Sequence, residues 1–175
     1  MNATATEPVR VLLETSQGNI TLELDADKAP KTTENFVAYV KAKHYDGLVF
    51  HRVIKGFMVQ GGGYDERFQE RDTRDPIQNE AKNGLKNKRG TIAMARTGDP
   101  HSASSQFFIN HADNAFLDNA GSNWGYAVFG KVVEGMDVVD KIALLPTGRG
   151  GQFGTDVPQP LVVIKHATVV EAKKK

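Results

Sequence analysis

One cation stands inside an apolar run of this sequence, and it is the natural starting point for chemistry. In FHRVIKGFMVQGGG, Arg52 interrupts strand-like residues, and Phe57, Met58 and Gln60 follow within eight positions. A guanidinium there needs a carboxylate partner, a path for its head to water, or employment as a fixed donor. Downstream, Ser105-Gln106-Phe107-Phe108-Ile109 alternates with period two, so Gln106 and Phe108 share one face and Phe107 and Ile109 the other. The same period pairs Met58 with Gln60. One face is core; the other carries an aromatic and an amide. An apolar, aromatic and methionine-lined surface with one fixed cation and two amides suits an extended, uncharged peptide.

Other chemistries find less support. The histidines His44, His51, His101, His111 and His166 never stand at the i, i+3 or i, i+4 spacing that sets two ligands on one helix face, so no metal site is expected. Gly61-Gly62-Gly63 lacks the Lys-Ser/Thr of a phosphate loop and reads as turn geometry. Ser104 and Ser105 lack a Gly-x-Ser-x-Gly elbow and read as satisfied loop hydroxyls. The run Asp65–Asp75 mixes five acids with three arginines, as a solvated loop does. There is no cysteine, which removes disulfides, thiolate metal sites and cysteine nucleophiles together. No cofactor is expected.

The elements that must position these residues follow from pattern and length. A chain of 175 residues fits one domain at about 100–200 residues each. Its formal charge of +1 gives no field for nucleic acid or an anionic membrane. The longest apolar stretch near the start, Val11-Leu12-Leu13, is far shorter than a signal core or a membrane span. The expectation is therefore a cytoplasmic monomer without membrane or nucleic-acid partners. Residues 1–8 read as a flexible leader, 9–170 as the domain and 171–175 as a solvated basic tail.

Strand-like runs cover Val9–Thr15, Asn19–Asp25, Leu48–Ile54, Phe57–Gln60, Thr91–Ala95, Gln106–Asn110, Tyr126–Val133 and Leu161–Val170. Pro30 opens a helix whose Thr33, Phe36, Val37 and Val40 recur at helical spacing, and Tyr45-Asp46-Gly47 is expected to end it. A second helix carries Met136, Val139, Ile142 and Ala143 between Gly135 and Pro146. Eight strands with few intervening helices disfavour a doubly wound sheet. They point to a mostly β fold, a closed eight-stranded antiparallel barrel capped by two α-helices. The charged, glycine-punctuated segment 61–90 is long enough to help build a site.

These residues also carry a resemblance. FHRVIKGFMVQGGG, GTIAMARTGDPHSASSQFFIN, AFLD and YAVFGKVVEGMDVVDKI occur in this order, and over roughly Val9 to Val170 the chain resembles the cyclophilin family of peptidyl-prolyl isomerases in its bacterial form. That likeness implies an eight-stranded antiparallel barrel capped by two helices, in agreement with the strand pattern. It implies that Arg52 is the catalytic arginine and that Phe57, Met58, Phe108 and Leu117 line a proline pocket. Gln60 and Gln106 would stand beside it, with the Ala95-Arg96 backbone along the substrate chain. Three positions depart from the better-known eukaryotic pattern: Phe116 replaces a tryptophan, Tyr126 a histidine and Arg96 an asparagine. Phenylalanine lacks the indole donor that helps the family bind cyclosporin, so cyclosporin-type cyclic peptides are expected to bind with weakened affinity.

The implied partners are proline-containing peptides and unfolded protein clients, and the implied reaction is assisted rotation about X-Pro bonds during protein folding. A non-catalytic proline-peptide-binding or chaperone module would use the same groove. A hydrolase using Ser104 or Ser105 is a third, distant reading.

Overall fold

A computed structural model of the chain describes residues 9–170; the expected leader and tail lie outside the described residues. Ten strands form: β1 (Val9–Thr15), β2 (Gly18–Leu24), β3 (Arg52–Ile54), β4 (Met58–Gly61), β5 (Thr91–Met94), β6 (Phe107–Asn110), β7 (Val128–Glu134), β8 (Thr147–Gly150), β9 (Phe153–Pro158) and β10 (Ile164–Val170). The α-helices are α1 (Pro30–Lys41) and α2 (Met136–Ala143), and two single 3-10 turns form at Ala81–Asn83 and Ala115–Leu117. Eight strands make one curled antiparallel sheet in the order β10-β1-β2-β7-β5-β6-β4-β3, and β8 and β9 pair separately. No helix among the described residues is long and apolar enough to cross a membrane.

Several boundaries correct the sequence reading. Helix α1 stops at Lys41, before the expected Tyr45-Asp46-Gly47, because Tyr45 is fully buried in the core and its backbone must leave the helix to get there. Tyr126 precedes β7 rather than opening it. The hairpin of β8 and β9 was not expected, since Thr-Gly-Arg-Gly-Gly-Gln-Phe-Gly-Thr-Asp alternates no apolar residues. What anchors it is Phe153, which packs on His51 with ring centroids 5.1 Å apart and on Tyr64 at 5.0 Å.

The strand period of two separates two apolar clusters on the two faces of the sheet. Inside lie Val11, Leu13, Ile20, Leu22, Val53, Val59, Ile92, Phe107, Ile109 and Phe129, joined by Phe36 and Val40 of α1 and Val139 and Ile142 of α2. Outside, Met58, Ala93, Ala95, Phe108 and Val128 form a smaller cluster. Phe107 sits at the centre of the inner one, edge-on to Phe36, Tyr45 and Phe50 at 5.4–5.9 Å. Such edge-to-face contacts add to the burial itself.

The long segment 61–90 is tied down by borrowed polar partners. Helix α1 has Ala29 at its N-cap, which offers no side-chain acceptor. Glu80 supplies one from 48 residues away: its Oε1 accepts from the Thr32 N–H and hydroxyl, each at 2.6 Å. This satisfies a first-turn donor and puts negative charge at the positive end of the helix. Arg71, expected to be solvated, instead donates to the His44 and Asp46 carbonyls at 2.8 and 2.9 Å.

His51 is nearly fully buried beneath β9, and its Nδ1 has no hydrogen-bond partner among the described residues. Burial, helped by the adjacent Arg52 guanidinium, lowers its pKa from 6.5 to about 4. Above pH 6.5 it is neutral whether folded or unfolded, so its ionisation contributes nothing to stability there. As the pH falls from 6.5 towards 4 the unfolded chain binds the proton first, and stability drops by up to about 3 kcal/mol. Urea unfolding across this range should show that loss in the wild type and not in His51→Phe; parallel curves would refute the assignment.

Candidate active site

The antiparallel register sets the expected residues in a row. Arg52 faces Gln60 across β3 and β4, Gln60 faces Phe108 across β4 and β6, and Phe108 faces Ala93 across β6 and β5. Each of these strands turns its alternate residues, Val53, Val59, Phe107 and Ile92, into the inner core, which leaves this row on the outer face. Met58, one pleat further along β4, is buried in the outer cluster and extends its floor.

A cavity of about 100 Å³ opens over this row. It brings together every sequence-predicted site residue except Gln106 and Phe116: Arg52, Phe57, Met58, Gln60, Ala95, Arg96, Phe108, Leu117 and Tyr126 line it. Gln106 stands behind the wall, where its Oε1 accepts from Gln60 Nε2 at 3.0 Å. That bond orients the Gln60 amide, so its Oε1 is the atom presented to Arg52 Nη1, at 3.4 Å. Phe116 is 68% exposed and stacks on Phe57, with centroids 5.6 Å apart and planes 29° apart, extending the aromatic surface beyond the rim.

The far wall is polar. Arg96 lies over the Tyr126 ring at 4.4 Å, and Tyr126 meets Phe108 edge-on at 5.7 Å. Ala95 presents its backbone along this wall, its own N–H donating to the Gln106 carbonyl at 3.0 Å.

Sequence reasoning missed the amide network that holds the Leu117 side in place. Asn110 is fully buried and donates to Asn87 Oδ1 at 3.1 Å and Thr91 Oγ1 at 2.9 Å, while Asn114 donates to Asn110 Oδ1 and to the Phe57 carbonyl, both at 2.8 Å. Asn87 in turn donates to the Leu117 carbonyl at 3.2 Å. A signal was present: asparagine ends the otherwise apolar strand FFIN, and a buried amide there must find partners.

The three glycines do more than turn. Only Gly62 has a left-handed φ, 91°. A Cβ on Gly61 would press on the Val49 carbonyl, and one on Gly63 would come within 2.6 Å of the Gln106 side chain. Gly63 is the space in which Gln106 lies. Ser105 is a satisfied hydroxyl, as expected, donating to the Gly62 carbonyl at 2.8 Å. No cluster of three or more metal-ligating side chains occurs among the described residues. A roomier cleft of about 340 Å³ runs between Glu23–Asp27, Leu85–Lys86 and Val128–Lys131. Two of its three acids are engaged: Glu23 pairs with Arg10 at 3.1 Å, and Asp25 accepts from the Lys28 N–H at 3.0 Å.

The family model described as cyclophilin type peptidyl-prolyl cis-trans isomerase matches residues 10–169. This chain belongs to the cyclophilin family. Among named relatives, a peptidyl-prolyl cis-trans isomerase of Streptomyces antibioticus is 57% identical over 165 residues, covering 91% of this cyclophilin and 98% of the relative. Peptidyl-prolyl cis-trans isomerase B of Escherichia coli is 52% identical over 164 residues, covering 92% and 99%. A Cryptosporidium parvum cyclophilin-type isomerase superposes with a TM-score of 0.76 at 26% identity, over 95% of this chain and 99% of that one. The same parasite protein, solved in the presence of the dipeptide Ala-Pro, gives 0.75.

Gly63→Ala tests the glutamine relay of this cyclophilin. Displacing Gln106 releases Gln60, and turnover of a proline peptide should fall about tenfold, the worth of roughly one hydrogen bond. Stability should fall by less than about 2 kcal/mol, since the crowded neighbour is a flexible, partly buried side chain and not backbone. Unchanged turnover would show that the relay is dispensable.

Proposed function

We propose that this cyclophilin turns X-Pro bonds through Arg52, with the proline ring seated in the cavity walled by Phe57, Met58, Phe108 and Leu117. The chain is a peptidyl-prolyl cis-trans isomerase by family and by named relatives. The observation that carries the residue roles is the cross-strand row, which sets the Arg52 guanidinium at the rim of the cavity with an oriented amide beside it.

The imide resists rotation because its nitrogen lone pair is delocalised, giving a barrier of about 18–20 kcal/mol. No bond breaks. A donor aimed at the nitrogen stabilises the twisted state, where the lone pair is localised, more than either planar state. Arginine is a permanent donor with no acceptor, so it needs no base. One charged hydrogen bond contributes about 1.5–3 kcal/mol, whereas a millionfold acceleration needs about 8. The remainder falls to anchoring of the ring, exclusion of water by the aromatic walls, and backbone contacts along Ala95-Arg96 that hold one side while the other turns.

Proline-containing segments of flexible or unfolded clients fit this groove. The parasite relative solved with Ala-Pro supports such a ligand. Cyclosporin-type peptides should bind weakly, since Phe116 offers no N–H at the rim. We read the protein as a cytoplasmic monomer of the bacterial form that assists folding. We read the curled sheet as a closed barrel, supported by the Val49–Val163 bridge and the bonds from Phe50 N to Val162 O and Ile164 N to Leu48 O.

A protease-coupled assay on an Ala-Ala-Pro-Phe peptide separates catalysis from mere holding. Arg52→Ala should lower kcat/KM by about 30- to 150-fold, the loss of roughly 2–3 kcal/mol in the transition state. A near-wild-type variant would refute the role. The wild-type rate should be nearly flat between about pH 6 and pH 9, because the reaction transfers no proton; a bell-shaped profile would overturn that mechanism.

A further inference from the structure

The groove contains two guanidinium groups and no carboxylate. Arg52 and Arg96 both line it, and the other lining residues are apolar, amide or phenol. Neither arginine is in an ion pair among the described residues.

Arg96 is held, not free. Its Nε and Nη2 donate to the Gly125 carbonyl at 3.3 and 3.0 Å, its Nη1 donates to the Thr97 carbonyl at 2.9 Å, and its plane lies on Tyr126. The acceptor is held too, since Asn79 Nδ2 also donates to the Gly125 carbonyl, at 3.1 Å. A guanidinium has five N–H groups, so these three bonds leave one hydrogen on each terminal nitrogen for a ligand. Carbonyls satisfy hydrogen bonds without cancelling charge. Lys82 adds to the positive side: its Nζ stands 4.7 Å over the ring of Trp124, next in sequence to Gly125.

We propose that Arg96 is a specificity-determining residue, a preset cation that selects peptides carrying aspartate or glutamate within two residues of the proline. The inference rests on reading this groove as the isomerase site. An extended chain advances about 3.3–3.6 Å per residue. A proline seated in a cavity that Arg96 itself lines therefore brings the flanking side chains within its reach. Arg52 is the poorer selector, because a carboxylate bound there would occupy the donor that the imide nitrogen needs. Pre-ordering of the Arg96 fork lowers the entropy lost on engaging a carboxylate.

The test uses the full chain and peptide pairs that differ by Glu against Gln at each of the two positions before and after proline. At low ionic strength at least one Glu peptide should exceed its Gln partner in kcat/KM by about three- to tenfold, as expected for a partly exposed charge pair. The ratio should shrink towards one at about 0.5 M salt. In Arg96→Met the ratio should be close to one whatever happens to the absolute rate, and Arg96→Lys should keep part of it. No Glu preference in the wild type, a preference insensitive to salt, or one that survives in Arg96→Met overturns the proposal. If no peptide is turned over, the isomerase reading falls by itself. NMR titration with the same pairs then decides separately: tighter Glu binding that Arg96→Met abolishes supports the selector, and equal binding of Glu and Gln peptides refutes it.

Discussion

The site depends on strand register. Arg52, Gln60 and Phe108 come from three strands and meet because β3, β4 and β6 pair antiparallel with these residues directly opposed. A slip of one residue would turn Val53 or Val59 outward and bury the guanidinium. The inner core forbids it, because Val53, Val59, Phe107 and Ile109 are each essentially fully buried in one continuous cluster. The energy that positions the chemistry is thus spent on the opposite face of the sheet. The polar residues need contribute little to their own placement.

What pleating cannot position, borrowed hydrogen bonds do. The Leu117 wall arrives on a single 3-10 turn, Ala115–Leu117, and is held by Asn87, Asn110 and Asn114, whose buried amides bond one another and the Phe57 and Leu117 carbonyls. The segment 61–90 is clamped to α1 through Glu80 and to the turn after α1 through Arg71. At the helix end a side chain completes an N–H that has no intrahelical acceptor; at the Leu117 wall the amides add a second bond to carbonyls that already accept from the His111 and Tyr126 N–H groups.

Much of this was legible in the residues. Period two in VIKGFMVQ and SQFFIN assigned faces correctly, since Phe107 and Ile109 are core while Phe108 and Gln60 are groove. The motif order carried the remaining site positions. Less legible was anything set by distant partners. The hairpin of β8 and β9 has no apolar alternation and owes its place to Phe153 against His51 and Tyr64. Helix α1 ends early because Tyr45 is claimed by the core, where its hydroxyl donates to the Ser105 carbonyl at 2.8 Å. The Gly63 vacancy for Gln106 is invisible in a triplet that also makes a turn.

The outer cluster of Met58, Ala93, Ala95, Phe108 and Val128 shares no member with the inner one. Two apolar bodies back to back on a single sheet divide labour: one holds the fold together, and the other, on the reading proposed above, grips the ligand. Drift at the exposed aromatic beside the external patch, Phe116, can retune ligand choice while leaving thermodynamic robustness nearly untouched. A scaffold partitioned in this manner is free to diversify its clientele across descendants without renegotiating its architecture.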